Sequence, residues 1–462
     1  MSELRAIHLS DVVGALSYAL DITEGQPIGH SQRCCWIGMH IGQKIGLTPV
    51  QLSDLYYTLL LKDVGCSSNA ARICSLYLTD DLSFKNEYKF VDNRLPEVLR
   101  FLIANTARKS GMIERLQTLV HIARNGGAIA HELIETRCQR GAEIVRIMRF
   151  SQDVAQGILD LDEYWDGTGQ PLGRRGTEIS LFARIALLAQ VADVFFMRGG
   201  SKAALAEITT RSGRWFDPTL VEALCNLADD DAVWHTMQAD NLAVRVAELE
   251  PTTLIREIDE GYLDDIAAGF AQVVDAKSPF TAGHSDRVAL FADLIAEEMG
   301  YDADRRRWLK RAALLHDVGK LGVSNAILDK NDRPDEAEWA AIRRHPELGE
   351  TILSKIEALR DTAVIAGAHH ERLDGRGYPR GIDAGRINLD TRIVTAADIF
   401  DALTADRPYR KAMSASQAFT IMRGDVGTAI DSDCFAALER GFARMEKIAV
   451  DLRPTRPLRL AS

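Results

Sequence analysis

The chain carries one pattern twice, and this internal repeat restricts its possible folds more than any other feature. Residues 29–33 (GHSQR) match residues 283–287 (GHSDR) at a spacing of 254 residues. The same spacing brings residues 60–65 (LLKDVG) onto residues 314–319 (LLHDVG). Two separate matches at one spacing predict that both halves of the chain adopt the same fold.

The repeat continues further along the chain at a shorter spacing. Residues 166–171 (DGTGQP) match residues 374–379 (DGRGYP) at a spacing of 208 residues. The first copy therefore has 254 minus 208, or 46, extra residues, which we place between Gly65 and Gly141.

Apolar residues recur at helical spacing in both copies, and strand-like alternation is scarce, so we predict an all-α protein. A length of 462 residues is enough for two domains. We place the first copy at 1–230, a helical linker at 231–258 and the second copy at 259–462. The linker is acidic and rich in helix-forming residues, which favours a connecting helix over a flexible tether.

The overall charge excludes some classes of partner. A net charge of −11 and a pI near 5.6 argue against a nucleic-acid polymer, which usually requires a basic surface. No apolar run is long enough to cross a membrane, and the first residues do not resemble a signal peptide. We therefore expect a cytoplasmic protein with no membrane segment, whose seven cysteines are reduced.

Histidines and acids are concentrated in the second copy, in otherwise apolar segments. Five of the eleven histidines follow residue 250, and they are accompanied by two neighbouring acids. These residues are His284, His316, Asp317, His345, His369, His370 and Asp398. Burying so many polar groups without a partner would cost roughly 1–3 kcal/mol for each group. Mixed imidazole and carboxylate ligands suit Fe, Mn or Zn better than Ca, and their number predicts two metal ions.

Three ordered motifs carry a resemblance to a known family. Residues 315–323 (LHDVGKLGV) resemble the HD signature of metal-dependent phosphohydrolases, and residues 369–379 (HHERLDGRGYP) closely match the HHExxDGxGYP motif of the HD-GYP subfamily. Residues 398–410 are similar to the third motif of that subfamily. The resemblance covers about residues 265–440 and implies a phosphodiesterase that hydrolyses cyclic di-GMP to pGpG, with GMP as a further product left open.

The resemblance also implies roles for individual residues. Its metal ligands are His316, Asp317, His345, His369, His370 and Asp398, with Asp317 bridging two divalent ions, Fe or Mn. Asp317 and Lys320 are the expected catalytic residues, and Lys320 would hold a substrate phosphate. Further substrate-binding positions are His284, Tyr378, Arg407 and Arg410. Lys320 and both arginines also fit ordinary solvated or ion-paired residues.

One position departs from the pattern of some family members. These members carry a glutamate that helps to hold a third metal, four residues before the histidine matched by His284. Here that position is Phe280. We therefore expect two metals, with His284 lining the pocket or donating a hydrogen bond.

The first copy lacks this ligand set. Five of its six ligand positions have other residues, namely Lys62 for His316, Arg137 for His345, Leu161 for His369, Asp162 for His370 and Gln190 for Asp398. Only Asp63 remains, opposite Asp317. We expect no metal in this copy. Lys62 and Arg137 would replace the metal charge and pair with the buried acids Asp63 and Asp162. A sensory, dimerising or structural role for this copy stays open.

Two other functions remain open from the sequence. One is an HD phosphohydrolase that acts on a different cyclic dinucleotide or nucleotide. The other is a signalling scaffold or sensor with little or no catalysis, which docks partner proteins through the Gly377-Tyr378-Pro379 loop. The sequence also leaves the oligomeric state open, a homodimer included.

Overall fold

The structure, a computed structural model, describes residues 9–92, 95–107, 111–227, 231–251, 258–330, 332–406 and 410–451. Throughout these ranges the regular elements are helices, and no β-strand is present, as an all-α prediction requires. None of the described helices is long and apolar enough to cross a membrane.

Among the described residues, the first copy contains ten α-helices and the linker region two. Those of the first copy are α1 (Leu9–Thr23), α2 (His30–Lys44), α3 (Pro49–Leu61), α4 (Ala70–Tyr77), α5 (Asp81–Tyr88), α6 (Leu95–Asn105), α7 (Met112–Ile147), α8 (Gln152–Leu159), α9 (Leu181–Thr210) and α10 (Pro218–Leu227). The two of the linker are α11 (Asp231–Thr236) and α12 (Leu242–Ala247). Helix α9 is broken at Gly199 and Gly200, whose backbone angles are not helical.

The part of the second copy that the structure describes contains ten α-helices. They are α13 (Glu260–Asp275), α14 (His284–Glu298), α15 (Ala303–Leu315), α16 (Asn325–Leu328), α17 (Glu336–Arg343), α18 (His345–Leu353), α19 (Arg360–Ala368), α20 (Leu389–Thr404), α21 (Ala415–Asp425) and α22 (Ser432–Asp451). Short 3-10 helices at Cys66–Asn69 and Val318–Gly322 follow α3 and α15.

The helix boundaries confirm the duplication and its register. Helices α14 and α15 begin and end 254 residues after α2 and α3, whereas α19 and α20 begin 208 residues after α8 and α9. The extra residues of the first copy form α4, α5, α6 and the beginning of α7. This insertion has a small core of its own, built from Ile73, Tyr77, Phe84 and Ile122.

Equivalent side chains begin equivalent helices. Ser31, in the first turn of α2, donates its hydroxyl to Asp21, and its counterpart Ser285 in α14 donates to Asp275. The side chains of Thr48 and Asp302 each accept a backbone N–H from the first turn of the following helix, α3 or α15. These bonds satisfy donors that a helix start leaves unpaired, so both copies place the same helices in the same way.

The two copies pack together through their first helices, each of which contacts both copies. Helix α1 packs on the Val318–Gly322 turn and on α18 of the second copy, and α13 packs on α7 and the Cys66–Asn69 turn of the first. Equivalent elements thus meet in both directions, as in a pseudo-twofold arrangement. One apolar cluster contains residues of both copies, from Leu9 to Ala366. The copies therefore share a core.

The linker is helical but interrupted, and it packs on the first copy. The Trp36 indole N–H donates to the carbonyl oxygen of Val233, and Leu242 and Val246 are buried in the shared core. Helices α11 and α12 therefore contribute to packing as well as connecting the copies. Residues 252–257 of the predicted linker, and residues 228–230 just before it, lie outside the described residues.

Gly319 holds the Val318–Gly322 turn close to the segment that begins α18. A Cβ atom at Gly319 would collide with the carbonyl oxygen of His345 and the backbone nitrogen of Gly349, and Gly65 meets Arg137 and Gly141 in the same way.

We predict that Gly319→Ala lowers the free energy of unfolding by about 1–3 kcal/mol, since a backbone contact cannot yield as a side chain does. Thermal unfolding of the full chain measures this effect. Gly424→Ala is the matched control because its added Cβ meets nothing within 4 Å, and equal melting temperatures for the two variants would contradict the prediction.

Candidate metal centre

The histidines of the second copy lie at helix ends that converge on one point. His316 directly follows α15, His369 directly follows α19, and His345 begins α18 immediately after α17. All three are buried. Because the last turn of a helix has unpaired carbonyl groups, each ring has an acceptor within reach.

Those carbonyl groups set the tautomer of each ring. The Nδ1 atoms of His316, His345 and His369 lie 2.7, 2.7 and 2.8 Å from the carbonyl oxygen three residues earlier. A carbonyl can only accept, so each Nδ1 carries the proton and each Nε2 has a free lone pair. A backbone acceptor behind the ring is a usual support for a metal-ligating histidine.

Asp317 lies between two groups of ligand atoms. Its Oδ1 is 3.3 Å from Nε2 of His345 and 3.6 Å from Nε2 of His369. Its Oδ2 is 3.2 Å from Nε2 of His284 and 3.4 Å from Nε2 of His316. One carboxylate thus faces both groups, which is the geometry of a bridging ligand.

The ligand atoms form two clusters, each within 4.8 Å. The first cluster is Asp317, His345, His369 and His370, and the second is His284, His316 and Asp398. All six predicted metal ligands therefore come together, and His284 joins them with its Nε2 3.5 Å from Oδ1 of Asp398. His284 is thus in a ligand position, whereas the sequence predicted only that it lines the pocket or donates a hydrogen bond.

Asp401 and Arg287 hold His284 from behind. The Nδ1–H of His284 donates to Oδ2 of Asp401 at 2.7 Å, and Nε of Arg287 donates to the other carboxylate oxygen at 2.5 Å. These bonds turn Nε2 of His284 toward the centre. Sequence reasoning missed both supporting residues, although Asp193, His30 and Arg33 match Asp401, His284 and Arg287 at the repeat spacings.

The buried donor atoms fit a pair of divalent cations. The Nε2 atoms of His284 and His316 and the Oδ1 atom of Asp317 are buried without a hydrogen-bond partner. The Nε2 atoms of His345 and His369 lie 3.2 Å apart, and both have free lone pairs. Such an arrangement is costly unless a cation lies between these atoms.

Protonation in the centre also favours cation binding. Burial lowers the pKa of His316 to about 4 and lowers that of His345 and His370, so these imidazoles are neutral at neutral pH. Burial alone would raise the pKa of Asp317, but the Lys320 ammonium holds it well below its usual value. Ligands must be deprotonated to bind a metal, and most of this set already is.

The other predicted site residues have distinct positions. Lys320 pairs with Asp317, and the Tyr378 ring lies 4.8 Å from the His370 ring and 6.5 Å from that of His345. Arg410 donates to carbonyl oxygens of residues 402, 403 and 411, so its guanidinium caps the end of α20. Its contact with a substrate stays a prediction. Arg407 lies outside the described residues.

Glu371 holds the glycine-rich loop against the centre. This buried carboxylate accepts the backbone N–H groups of Arg380 and Ile382 at 2.7 and 3.1 Å. In the first copy Glu163 accepts those of Leu172 and Arg174, at the repeat spacing of 208 residues. The same loop is thus built in both copies, including the one without the ligand set.

In the first copy a lysine ammonium occupies the place of a metal ion. Lys62 is 1% exposed, its Nζ pairs with Asp63, and it lies 3.1 Å from Nε2 of His30. His30 in turn donates to Asp193 at 2.6 Å. Burial and Lys62 lower the pKa of His30, so its Nε2 accepts from the ammonium. Equivalent atoms of His284 and Asp317 face each other in the second copy.

More cations surround this position. Arg137 pairs with Asp162, as predicted, and the insertion adds Lys85 and Lys89, whose Nζ atoms lie 3.3 and 3.2 Å from Glu24. Together with Lys62 these side chains carry four positive charges, as many as two divalent ions. The sequence did not identify the two insertion lysines, because they have no counterpart in the repeat.

Two smaller clusters of donor atoms also occur in the first copy. One is His30, Cys34 and Asp193, and the other is Glu24, Asp63 and Cys66. Their carboxylates already pair with arginine or lysine side chains, and burial raises the pKa of both thiols. A protonated thiol beside ammonium groups is a poor metal ligand, so we expect no metal at either cluster.

The fold and the centre together define a class of protein. An all-α domain that converges histidines and aspartates on a bridging aspartate is an HD-type metal-dependent phosphohydrolase. The family model described as "HD domain" matches residues 96–220 and 270–434, one match in each copy. The chain belongs to the HD domain family, and its second copy is of the HD-GYP type.

Curated relatives agree with this assignment. A "3'3'-cGAMP-specific phosphodiesterase 3" of Vibrio cholerae is 53% identical over 432 residues, which is 94% of each chain. The "Cyclic di-GMP phosphodiesterase response regulator RpfG" of Xanthomonas campestris is 34% identical over 46% of this chain and 57% of its own. A crystal structure of a cyclic GMP-AMP specific phosphodiesterase of V. cholerae superposes with a TM-score of 0.65 and 47% identity, covering 95% of this chain and 98% of that one.

Replacing Lys62 tests the exchange of metal charge for side-chain charge. We predict that Lys62→His destabilises the full chain by about 3–5 kcal/mol, because it leaves Asp63 buried without its cation and restores only one of five ligands. The measurement is thermal unfolding. The control is Arg72→Ala, which breaks the ion pair to Glu132 between side chains about half exposed and should cost roughly 0–1 kcal/mol. If Lys62→His melted at the wild-type temperature, Lys62 would not carry this charge.

Proposed function

We propose that the protein is a metal-dependent phosphodiesterase that hydrolyses a 3',5'-cyclic dinucleotide at the centre of its second copy. The observation that carries this proposal is the pair of buried ligand clusters that share Asp317. The 53% identical relative, named as a phosphodiesterase and matched over both copies, supports it. Mixed imidazole and carboxylate donors favour Fe or Mn as the ions.

The ligand residues divide between two ions. His345, His369 and His370 would hold one ion, and His284, His316 and Asp398 the other, with Asp317 bridging them. Such ions supply Lewis acidity toward water and the phosphodiester. The protein residues fix the donor atoms through their backbone and carboxylate supports, so that little reorganisation accompanies binding.

Lys320 is positioned to orient the scissile phosphate. Its ammonium pairs with the bridging Asp317, and 19% of the side chain is exposed. A phosphate oxygen that enters the centre would meet this charge directly, and the ammonium would offset the charge that develops during displacement. Lys320 would thus contribute to turnover without holding a metal.

Among cyclic dinucleotides, we propose 3'3'-cGAMP as the preferred substrate. The relative named for 3'3'-cGAMP is matched over 94% of this chain, whereas those named for cyclic di-GMP in Xanthomonas campestris and Thermotoga maritima are matched over 46% and 42%. Cyclic di-GMP, hydrolysed to pGpG and GMP, is the second candidate, supported by the shared HD-GYP motif. A non-catalytic scaffold is disfavoured by the complete ligand set. Four expectations from the sequence remain predictions. They are a homodimer, partner proteins that bind the Gly377-Tyr378-Pro379 loop, a cytoplasmic location, and contacts of Arg407 and Arg410 with the substrate.

Turnover of defined cyclic dinucleotides tests the proposal. The full chain loaded with Mn or Fe is incubated with 3'3'-cGAMP, cyclic di-GMP and cyclic di-AMP, and products are separated by chromatography. We expect linear dinucleotides from 3'3'-cGAMP at the highest rate. A faster reaction with cyclic di-GMP would reverse the order of the two candidates. No cleavage of any cyclic dinucleotide by metal-loaded protein would contradict the proposed function.

Two variants separate metal binding from phosphate binding. Asp317→Ala removes the bridging ligand, so we expect it to abolish hydrolysis and reduce the metal content from about two ions per chain. Lys320→Ala should retain both ions and lower turnover by roughly 100-fold, as for a lost donor to a developing charge. Metal analysis and kinetics of the same preparations check both results. Loss of metal in Lys320→Ala, or unchanged turnover, would contradict the separate roles.

A further inference from the structure

A cation lies between two aromatic rings at the edge of the metal centre. The Arg343 guanidinium carbon is 5.6 Å from the centroid of the Tyr378 ring and 5.7 Å from that of the Trp339 ring. Tyr378 in turn lies against His370. We call Trp339, Arg343 and Tyr378 the aromatic platform. The Tyr378 ring lies between Arg343 and the proposed metal ligand His370.

The helix that carries two of these residues does not contribute to a core. Helix α17 has no buried residue. Its start is fixed by a capping box, in which Asp335 and Glu338 bond each other's backbone N–H groups. The Trp339 side chain is 40% exposed. An exposed tryptophan on a firmly capped surface helix is available to a ligand and is not explained by packing.

Arg343 keeps its hydrogen-bonding capacity free. Among the described residues it has ring contacts but no acidic partner, in contrast to Arg372 and Arg380 of the nearby loop, which pair with Asp374 and Glu350. Its guanidinium N–H groups have no hydrogen-bond acceptor among the described residues, so they remain available to a ligand. A guanidinium oriented by two rings loses little freedom when it binds a ligand.

These groups match one kind of nucleobase. Every purine stacks on tryptophan or tyrosine, and a guanidinium donates two parallel bonds to O6 and N7 of guanine. Adenine presents an amino group in place of O6, which opposes such a donor. A base is joined to its phosphate through one ribose, so a base on the platform is compatible with a phosphate at the metal centre.

We propose that the aromatic platform is a guanine-binding subsite, in which Trp339 and Tyr378 stack on the base and Arg343 donates to O6 and N7. The proposal rests on the proposed cyclic dinucleotide substrate and names the base that the site reads. It accounts for both substrate candidates, since 3'3'-cGAMP and cyclic di-GMP each contain guanine. Cyclic di-AMP, which contains none, would be excluded.

Equilibrium binding tests the subsite independently of catalysis. The dissociation constants of GMP and AMP are measured by calorimetry on the full metal-loaded chain. We expect GMP to bind at least 10-fold more tightly than AMP, and Arg343→Ala to remove this preference. Arg343→Lys should not restore it, because an ammonium lacks the bidentate fork. Equal affinity for GMP and AMP in the wild type, or a preference that survives in Arg343→Ala, would overturn the proposal.

Kinetics with two substrates separate the subsite from the metal centre. Arg343→Ala and Trp339→Ala should each lower kcat/KM for 3'3'-cGAMP by roughly 10- to 100-fold. Arg343→Ala should leave hydrolysis of bis(p-nitrophenyl) phosphate unchanged, because this substrate has no pair of acceptors like O6 and N7. Trp339→Phe keeps a stacking ring and should restore most of the loss. An equal loss on both substrates in Arg343→Ala would mean that α17 supports the metal centre and would overturn the subsite.

The neighbouring arginine provides a matched control. Arg344 has the same charge, begins α18 and has no ring contact or ion pair among the described residues. Arg344→Ala should retain the preference for GMP. The same loss of preference in Arg344→Ala as in Arg343→Ala would mean that general attraction of anions explains the effect, and it would contradict the subsite. Failure of the proposed function gives a different result, in which GMP binds selectively but no cyclic dinucleotide is cleaved.

Discussion

Both copies are organised around a positive charge between an imidazole and an aspartate. In the second copy Nε2 of His284 and Oδ2 of Asp317 face each other at 3.2 Å, and in the first the Lys62 ammonium bonds the corresponding atoms of His30 and Asp63. Buried carboxylates of this kind cannot be left without a cation, because their desolvation is not otherwise compensated. The first copy meets this requirement with a lysine, and the donor atoms of the second copy fit a metal ion at the equivalent place.

The choice of cation decides what each copy can do. A lysine charge is part of the chain and is satisfied by fixed partners, so the first copy keeps its fold without an open coordination position. Metal ions leave such positions for water and substrate. The first copy thus has the fold of the catalytic copy without its open coordination positions. Its helix α1 packs directly on the Val318–Gly322 turn, which contains Lys320. The first copy therefore contacts a proposed catalytic element directly.

The sequence predicted those features that the repeat and the motifs make visible. The all-α fold, the register of the copies and the pairing of Lys62 with Asp63 follow from matching residue types at fixed spacings. The ligand position of His284 did not follow, because it depends on Asp401 from α20 turning the ring. The packing of α1 and α13 on both copies was also not predicted, since apolar periodicity identifies a buried helix face without naming what covers it.

The insertion adds two lysines that neutralise an acid found only in the first copy. Glu24 has no acidic counterpart, since the residue at the repeat spacing in the second copy is Ser278. Lys85 and Lys89 come from α5 and the residue after it and pair with this acid. Burial would raise the pKa of Glu24, yet Lys89, Lys85 and Arg137 hold it below its usual value. The insertion lysines thus offset Glu24, whereas Lys62 and Arg137 replace ligand residues and pair with Asp63 and Asp162.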